Sequence, residues 1–307
     1  MAGNGGGVTV RVPAKINLQL AVGGPRPDGF HELATVFHAV SLFDDVIAVP
    51  ADGLRVTVSG PQAAQVPTDE GNLALRAALL LARRTGIESG VHLHLRKDIP
   101  VAGGMAGGSA DAAAALLACD ALWHAGLDRE ELRELAAELG SDVPFALLGG
   151  TAIGQGRGER LTPALARGTH HWVIALSDGG LSTPAVYAEI DRLRAGRVLP
   201  EPRVADRLMQ ALRSGDSIAL GAALANDLQP AATSLDPRLE RTLAVGLDNG
   251  ALGGLVCGSG PTVAFLVRDP EHAMDLSITL VADGAVAEVR RAHGPVPGAR
   301  IVEPGHS

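Results

Sequence analysis

The sequence predicts an α+β protein built from two domains, and three features of the chain support this fold class. Segments in which apolar and polar residues alternate, as expected of half-buried strands, are interspersed with longer segments of helical character. A chain of 307 residues exceeds the usual size of a single core. A glycine-rich run at 100–111 joins a predicted strand to an alanine-rich helix. We therefore expect an N-terminal domain over residues 1–165 and a C-terminal α/β domain over residues 166–307.

The composition excludes several classes of protein. Apolar residues make up 46% of the chain, and the 26 Lys and Arg against 34 Asp and Glu give a net charge of −8. This charge argues against nucleic acid or an anionic membrane surface as a partner. Cys119 and Cys257 form neither a metal-binding spacing nor a disulfide framework, as expected of a cytoplasmic protein. No apolar stretch approaches the roughly 18 residues of a membrane span, and residues 1–7 predict a short disordered lead.

The first strands bring a lysine and an asparagine together. Residues 8–12 predict a strand that Pro13 ends or offsets, and residues 15–20 alternate strictly between polar and apolar. Lys15 and Asn17 therefore lie on one face of a strand, about 6.6 Å apart. The alternative is an exposed edge strand with a solvated lysine.

The next segments alternate between strands and helices. Turn formers at 23–29 precede Phe30 and His31, and Asn72 is placed to cap a helix that ends before Gly86. His92 and His94 share one face of a strand, where we expect a surface position rather than a zinc site because no third ligand is near. The predicted strands of this region are 35–42, 46–49, 54–58 and 91–95.

The glycine-rich run predicts a phosphate site. Four glycines, at 103, 104, 107 and 108, precede a helix predicted from Ala110 to Ala125, and Ser109 adds a hydroxyl group. Glycines at a helix start allow close backbone approach, and the unpaired N–H groups there favour an anion. Neither G-x-x-x-x-G-K-[ST] nor a strand-linked G-x-G-x-x-G is present. The alternative is a flexible turn ahead of a core helix.

After the alanine-rich helix, Asp128 and Glu131 predict the start of a helix that ends at Gly140. Pro144 favours the start of a short helix, and Asp142 either caps that helix or is a catalytic residue. Thr183 is expected to cap a helix that carries Tyr187. The other predictions are strands at 151–154 and 172–176, a loop at 154–158, helices at 204–213, 217–225 and 236–250, and a strand, a turn at 258–261 and a strand within 251–265.

Three stretches, in this order, resemble the signature of the GHMP kinases, a family of small-molecule kinases. They are 13–18 (PAKINL), 100–110 (PVAGGMAGGSA) and 258–262 (GSGPT). The resemblance implies an N-terminal domain like ribosomal S5 domain 2 and a ferredoxin-like C-terminal domain. Four further elements resemble the branch of the family whose acceptor carries a cytidine diphosphate group: 28–31 (DGFH), Lys97, 140–145 (GSDVPF) and 182–187 (STPAVY).

The resemblance implies transfer of the ATP γ-phosphate, with Mg²⁺, to the 2-hydroxyl of 4-diphosphocytidyl-2-C-methyl-D-erythritol, a step of isoprenoid-precursor synthesis. It implies that Asp142 takes the hydroxyl proton, that Lys15 orients Asp142 and offsets phosphoryl charge, and that Asn17 holds the methylerythritol end. Phe30 and Tyr187 would stack on the cytosine while His31 meets its polar edge. The residues implied to bind ATP are Lys97, Pro100, Val101, Ala102, Gly103, Gly104, Met105, Ala106, Gly107, Gly108, Ser109 and Ala110, with Ser109 also a candidate Mg²⁺ ligand.

The sequence departs from the family pattern in two places. Phe30 stands where many members carry Tyr, and Ala102, Ala106 and Ala110 replace Gly or Ser of the fuller loop. Three alternatives remain open: a GHMP kinase for a polyol or amino alcohol, a catalytically silent nucleotide sensor, and an RNA-binding module, which the net charge disfavours. The chain is expected to act as a monomer or a homodimer.

Overall fold

The computed structural model describes residues 6–177, 179–286 and 288–303, so the predicted disordered lead lies mostly outside the described residues. The strands are β1 (Val8–Pro25), β2 (His31–Ala51), β3 (Leu54–Ser59), β4 (Gly90–Arg96), β5 (Thr151–Gly156), β6 (Arg160–Pro163), β7 (His170–Leu176), β8 (Ala225–Asn226), β9 (Gly253–Val256), β10 (Val263–Val267), β11 (Glu288–Gly294) and β12 (Arg300–Val302). The helices are α1 (Leu73–Thr85), α2 (Gly107–Trp123), α3 (Arg129–Leu139), α4 (Val143–Leu148), α5 (Thr183–Leu193), α6 (Asp206–Ser214), α7 (Ser217–Ala223), α8 (Gln229–Leu235), α9 (Arg238–Asp248) and α10 (Pro270–Ala282). The α+β fold class predicted from the sequence is confirmed.

The strands form two sheets. The first has eight strands with the path β12-β1-β2-β4-β3, to which β5 and β6 add beside β2 and β8 adds beside β1. The second is an antiparallel sheet of four strands in the order β11-β7-β10-β9. Strands β8 and β12, from the C-terminal half of the chain, complete the first sheet, so the two halves interleave. The domain boundary at residue 165 stays a prediction.

Strand β1 lies inside the first sheet and positions the lysine of interest. It pairs with β2 along almost its whole length, and its register shifts between Pro13 and Ala14. Pro13 therefore offsets the strand without ending it. The alternative of an exposed edge strand with a solvated lysine is wrong, since Lys15 is only 7% exposed.

Helix α2 lies in the hydrophobic core beside the first sheet. Its alanine-rich sequence gives small side chains on every face, which lets neighbouring elements approach closely. It packs against the first sheet and against α1 and α4, and most of its side chains are buried, including Leu116 and Cys119. This packing fixes the position of its N-terminus, where the glycine run begins the helix.

Several local predictions are confirmed. Asn72 accepts hydrogen bonds from the backbone N–H groups of Ala74 and Leu75, and Gly86 ends α1 in the left-handed conformation. Asp128 and Glu131 form the predicted capping box at the start of α3. His92 and His94 form hydrogen bonds with the Thr57 hydroxyl on the sheet surface, as expected of a surface strand.

Other local predictions need correction. The strands predicted at 35–42 and 46–49 are one strand, β2, and the loop predicted at 154–158 is mostly strand. Ser182, rather than Thr183, occupies the N-cap position of α5, and Thr183 instead hydrogen-bonds the Ser259 hydroxyl at 2.9 Å. No sequence pattern predicted six of the elements: β6, β8, β11, β12, α8 and α10. No helix in the described part of the chain is long and apolar enough to cross a membrane.

Candidate active site

A cleft of about 790 Å³ lies where the two halves of the chain meet. Strands β1 and β2, the N-terminal turn of α2, the start of α4 and helix α5 all contribute to its wall. The predicted site residues that line it are Lys15, Asn17, Phe30, His31, Pro100, Ala102, Gly103, Gly104, Ala106, Gly107, Gly108, Ser109, Asp142 and Tyr187. Stretches far apart in the sequence thus converge on one cavity.

Lys15 and Asp142 face each other in this cleft. The Lys15 ammonium nitrogen lies 3.8 Å from Asp142 Oδ2 and donates a hydrogen bond of 2.7 Å to Asn17 Oδ1. Asn17 in turn donates to the Thr35 hydroxyl at 2.7 Å, and that hydroxyl donates to the Gln19 carbonyl oxygen at 2.7 Å. This chain of bonds orients the Asn17 amide so that its oxygen accepts from the ammonium group. The lysine charge is therefore held in a single position.

Asp142 keeps its carboxylate available to the cleft. It occupies the N-cap position of α4, but its backbone is helical and its side chain caps none of the described N–H groups. The carboxylate side chain is 33% exposed, whereas that of Lys15 is 9% exposed. Of the two interpretations made from the sequence, helix capping is thus ruled out for this carboxylate. The nearby Tyr187 hydroxyl has its pKa raised to about 12 by burial and by the negative charge of Asp142.

The glycine run forms part of the helix itself. Helix α2 begins at Gly107, three residues earlier than predicted, so Gly107, Gly108 and Ser109 make up its first turn. Ala106 stands at the N-cap in the left-handed conformation, and no side chain of the described residues caps the turn. The first N–H groups of an α-helix have no partner within the helix and lie at its positive end. This turn therefore presents an anion-binding surface to the cleft.

The glycine run packs against the turn at 258–260, backbone to backbone. A Cβ atom on Gly104, which has a φ of 76°, would lie 2.0 Å from the Cys257 carbonyl oxygen. Gly258, with a φ of 54°, would place a Cβ 3.4 Å from the Lys15 ammonium nitrogen. At Gly104 a Cβ would overlap the carbonyl oxygen, so only glycine fits there, and the positive φ at both positions favours glycine. The second glycine motif thus forms the wall of the site beside Lys15.

Lys97 lies behind the glycine run, outside the set of described residues that line the cleft. Its side chain is 3% exposed and forms ion pairs with Asp44 and with Asp111, the latter at 2.7 Å. It also donates to the Gly107 carbonyl oxygen at 3.3 Å. We therefore expect Lys97 to act through the loop, as a positioning residue, and not by touching ATP.

The ion-pair cluster behind the loop contains an unusual carboxyl group. Burial raises the pKa of Asp111 to about 8, and the Lys97 charge opposes this shift only in part. Asp111 Oδ1 has no hydrogen-bond partner among the described residues. Asp44, by contrast, accepts bonds from the backbone N–H groups of Asp98 and Ile99.

Three further residues of the predicted ATP set do not line the cleft within the described chain. Met105 and Ala110 are each 1% exposed and pack in the core. Val101 donates its N–H to Gln62 Oε1 at 2.7 Å. These three residues stabilise the loop by packing and hydrogen bonding inside the protein. The glycines instead expose their backbone to the cavity.

Phe30, His31 and Tyr187 meet at one end of the cleft. The rings of His31 and Tyr187 lie 4.9 Å apart with an angle of 40° between their planes. Phe30 is 49% exposed, which is unusual for a large apolar side chain, and the Arg157 guanidinium lies 4.9 Å from its ring centre. Aromatic rings gathered around a cavity are suited to hold a planar base.

Three residues at the site were not predicted from the sequence. Thr35 orients Asn17, Arg157 covers Phe30, and Asp191 accepts a hydrogen bond from His31 Nε2 at 2.9 Å. Only Asp191 had a sequence signal, because it follows Tyr187 by four residues on one face of α5. No group of three or more His, Cys, Asp or Glu side chains is arranged to hold a metal within the described ranges.

Comparisons with known proteins agree with this geometry. The family model described as the GHMP kinases N terminal domain matches residues 72–150, and that described as GHMP kinases C terminal matches residues 208–276. The chain is 61% identical over 295 residues to a 4-diphosphocytidyl-2-C-methyl-D-erythritol kinase of Streptomyces avermitilis, covering 96% of this chain and 99% of the relative. It is 58% identical over 303 residues to an enzyme of the same name from Thermobifida fusca, covering 96% and 98%.

Solved structures give the same result. A crystal structure of 4-(cytidine 5'-diphospho)-2C-methyl-D-erythritol kinase superposes with a TM-score of 0.75 and 34% identity, covering 92% of this chain and 98% of the other. A homoserine kinase from Cytophaga hutchinsonii superposes with a TM-score of 0.74 at 19% identity, covering 98% and 99%, and so shares the fold alone. The chain belongs to the GHMP kinase family, and within it to the 4-diphosphocytidyl-2-C-methyl-D-erythritol kinases.

Proposed function

We propose that this chain transfers the γ-phosphate of ATP to the 2-hydroxyl of 4-diphosphocytidyl-2-C-methyl-D-erythritol. One observation carries the proposal: a single cleft brings together an uncapped helix N-terminus, a lysine–aspartate pair and an aromatic–histidine cluster. The first suits phosphates, the second suits an alcohol that must lose a proton, and the third suits a nucleobase. The relatives named for this reaction match over nearly the whole chain, which supports the same conclusion.

The lysine–aspartate pair would carry the chemistry. Asp142, with a carboxylate uncommitted to helix capping, would accept the proton of the attacking hydroxyl group. Lys15 would hold that carboxylate in place and offset negative charge on the phosphoryl group in transfer. Asn17 would fix Lys15 and contact the methylerythritol end of the acceptor. Catalysis of this kind depends on positioning and fixed charge, since phosphoryl transfer requires no covalent step by the protein.

The first turn of α2 would hold the phosphates of ATP. Gly107, Gly108 and Ser109 supply backbone N–H groups at the positive end of a helix that is fixed in the core. Gly103 and Gly104 continue the same surface. Lys97 would keep this surface in place by binding the Gly107 carbonyl oxygen and Asp111 from behind.

We propose Mg²⁺ as the ion that accompanies ATP. Ser109 and Asp142 both line the cleft and carry oxygen donors, the type that Mg²⁺ prefers. Ser109 is the candidate ligand because its hydroxyl lies in the turn assigned to the phosphates. When bound, the ion would neutralise negative charge on the nucleotide.

The cytidine end of the acceptor would lie among Phe30, His31 and Tyr187. The rings of Phe30 and Tyr187 offer stacking surfaces, and His31 offers a ring nitrogen to the polar edge of the base. A small aliphatic acceptor such as homoserine needs no such cluster. This contrast favours a cytidylated acceptor over the other substrates of the fold.

The test is phosphate transfer from ATP to a panel of acceptors. The panel contains 4-diphosphocytidyl-2-C-methyl-D-erythritol, 2-C-methyl-D-erythritol 4-phosphate, homoserine and mevalonate. We expect transfer to the cytidylated acceptor only, and none by the Asp142→Asn variant. Equal transfer to acceptors that lack cytidine would refute the proposed substrate, and nucleotide binding without transfer to any of them would favour a sensor.

A further inference from the structure

Phe30, His31 and Tyr187 form a nucleobase cluster at one end of the cleft. Asp191, which lies outside the stretches that resemble the GHMP kinases, holds the polar end of this cluster. His31 Nε2 lies 2.9 Å from Asp191 Oδ1, and the His31 side chain is only 7% exposed. Asp191 follows Tyr187 by four residues in α5, so both side chains project from one face of that helix. Tyr187 packs against the His31 ring while Asp191 binds its edge. Helix α5 thus controls both the tilt and the polar contacts of a residue that begins β2.

The contact decides which ring nitrogen carries the proton. A carboxylate only accepts hydrogen bonds, so the contact at 2.9 Å requires a proton on His31 Nε2. In the neutral ring the other nitrogen, Nδ1, is then an acceptor. Among the described residues, Nδ1 has no hydrogen-bond partner, and His31 lines the cleft. A base that contacts Nδ1 therefore meets an acceptor.

Cytosine and uracil differ at the group that would meet this acceptor. Cytosine carries an amino donor at position 4, whereas uracil carries a carbonyl acceptor there. An acceptor on His31 pairs with the cytosine amino group and leaves the uracil oxygen facing a lone pair. A buried polar group left unpaired in this way gives strong discrimination between otherwise similar ligands.

We propose that Asp191 is a positioning residue that sets the tautomer of His31 and thereby selects cytidine over uridine acceptors. This inference rests on the proposed function, since it concerns the nucleobase of that acceptor. Asp191 would act through His31, whose Nε2 it binds. Its side chain is 41% exposed and lies at the edge of the cleft.

Replacement of the carboxylate by an amide provides the sharpest test. In Asp191→Asn the amide can accept from Nε2–H through its oxygen or donate to Nε2 through its NH2 group, so it no longer fixes the ring proton on Nε2. When the amide donates, the proton lies on Nδ1 and that nitrogen becomes a donor. We expect the ratio of kcat/KM for the cytidine acceptor to that for its uridine analogue to fall by roughly 5- to 100-fold, the scale of one mismatched hydrogen bond. The loss should lie in KM, with kcat at saturating cytidine acceptor within about twofold of wild type. Asp191→Glu, which keeps a carboxylate, should retain most of the preference.

Glu189→Gln is the matched control, because it removes one negative charge from the same helix without touching His31. Glu189 instead binds Arg192 and Ser234. We expect this variant to keep the wild-type ratio. An unchanged ratio in Asp191→Asn, or an equal fall in Asp191→Asn and Glu189→Gln, overturns the proposal.

A spectroscopic measurement tests the tautomer of His31 without depending on whether the protein phosphorylates the cytidine acceptor. Proteins labelled with ¹⁵N-histidine, with the His31 signal identified through His31→Gln, report which ring nitrogen carries the proton. We expect only Nε2 protonated in wild type and a population protonated on Nδ1 in Asp191→Asn. A wild-type ring protonated on Nδ1, or on both nitrogens, overturns the tautomer assignment. If wild type transfers no phosphate to the cytidine acceptor, the proposed function fails, and relative binding of CDP and UDP by calorimetry then decides the role of Asp191.

Discussion

The ammonium nitrogen of Lys15 lies 3.8 Å from a carboxylate oxygen of Asp142, although one residue belongs to the first strand and the other to the start of the fourth helix. The hydrogen bond to Asn17 holds the Lys15 ammonium group, whereas the Asp142 carboxylate makes no capping bond. Lys15 is buried beside Asn17, and Asp142 leaves the adjacent helix uncapped. The fold thus brings both charged groups to the cleft.

The first prediction concerns this pair. Lys15→Met and Asp142→Asn should each lower kcat by about 10²- to 10⁴-fold, the usual contribution of a positioned acid–base group. The double variant should lose little more than the worse single variant, because groups that act as one unit are not additive. Steady-state kinetics of the three variants measures this, with thermal unfolding as the control for folding. Losses that multiply would show that the two residues act independently.

The second prediction concerns the phosphate surface. Gly108→Val should weaken ATP binding by roughly 10- to 100-fold, because the branched side chain prevents phosphate approach to the backbone and breaks charge-assisted hydrogen bonds. The fold should survive, since a Cβ there contacts only Leu73, at 3.6 Å. Gly107 is a poorer site for this test, as a Cβ would approach Ile99 and Lys97 at 3.2 and 3.3 Å. Neither glycine has a positive φ, so the backbone conformation does not prevent a side chain at either position.

Gly53→Val serves as the control for this experiment. Gly53 lies between β2 and β3, and a Cβ there would meet no described atom within 4 Å. Calorimetric titration with a non-hydrolysable ATP analogue should give wild-type affinity for this variant. Wild-type affinity in a folded Gly108→Val protein would rule out the phosphate surface.

The third prediction concerns Lys97. Lys97→Met should lower the free energy of unfolding by about 3–5 kcal/mol, because it leaves the buried Asp44 carboxylate, and the Asp111 carboxyl group beside it, without the cation that binds both. Urea denaturation measures the loss. Exposed Arg203, which pairs with Glu201 on the surface, provides the comparison: Arg203→Met should change stability by less than about 1 kcal/mol. Equal effects of the two changes would contradict a structural role for the buried pair.

The fourth prediction concerns the pH dependence of stability. The pKa of Asp111 is raised by burial to about 8 in the folded protein, from about 3.9 in an unfolded chain. Between these values the folded state binds more protons than the unfolded state, so this group makes stability fall as pH rises from about 4 to 8. Asp111→Asn should remove that contribution. Urea denaturation at pH 5 and pH 8 tests this, and an identical pH dependence in wild type and variant would refute it.

The fifth prediction concerns the nucleobase cluster. Phe30→Ala and Tyr187→Ala should each raise KM for the cytidylated acceptor by roughly 5- to 150-fold, since base–aromatic stacking contributes about 1–3 kcal/mol. KM for ATP should change little. Phe30 is the cleaner position because it is 49% exposed, so its removal should leave the melting temperature nearly unchanged. If both substrates bind more weakly and the protein melts earlier, these residues are ordinary packing aromatics.

Local patterns in the sequence were sufficient for elements whose signals lie within a few residues. The cap at Asn72, the capping box at Asp128 and the alternation around Lys15 were predicted because neighbouring side chains and backbone groups determine them. The short strands β8 and β12 were missed for the opposite reason. A strand of two or three residues is too short to show an alternation of apolar and polar residues. These two strands form because their backbones pair with β1.

The sequence by itself determined the fold class and most of the residues that converge on the cleft, including the glycines at 103, 104, 107 and 108. The tertiary structure decided which charged side chains face the cleft and which are paired in the core. Lys97 and Lys15 are alike in sequence, but Lys97 is buried between two carboxylates behind the loop whereas Lys15 faces the cavity. Asp191 lies 2.9 Å from His31 because α5 packs against the start of β2, a contact between residues 160 positions apart. Burial and hydrogen-bond partners fix protonation and orientation, and both depend on contacts between residues that lie far apart along the chain.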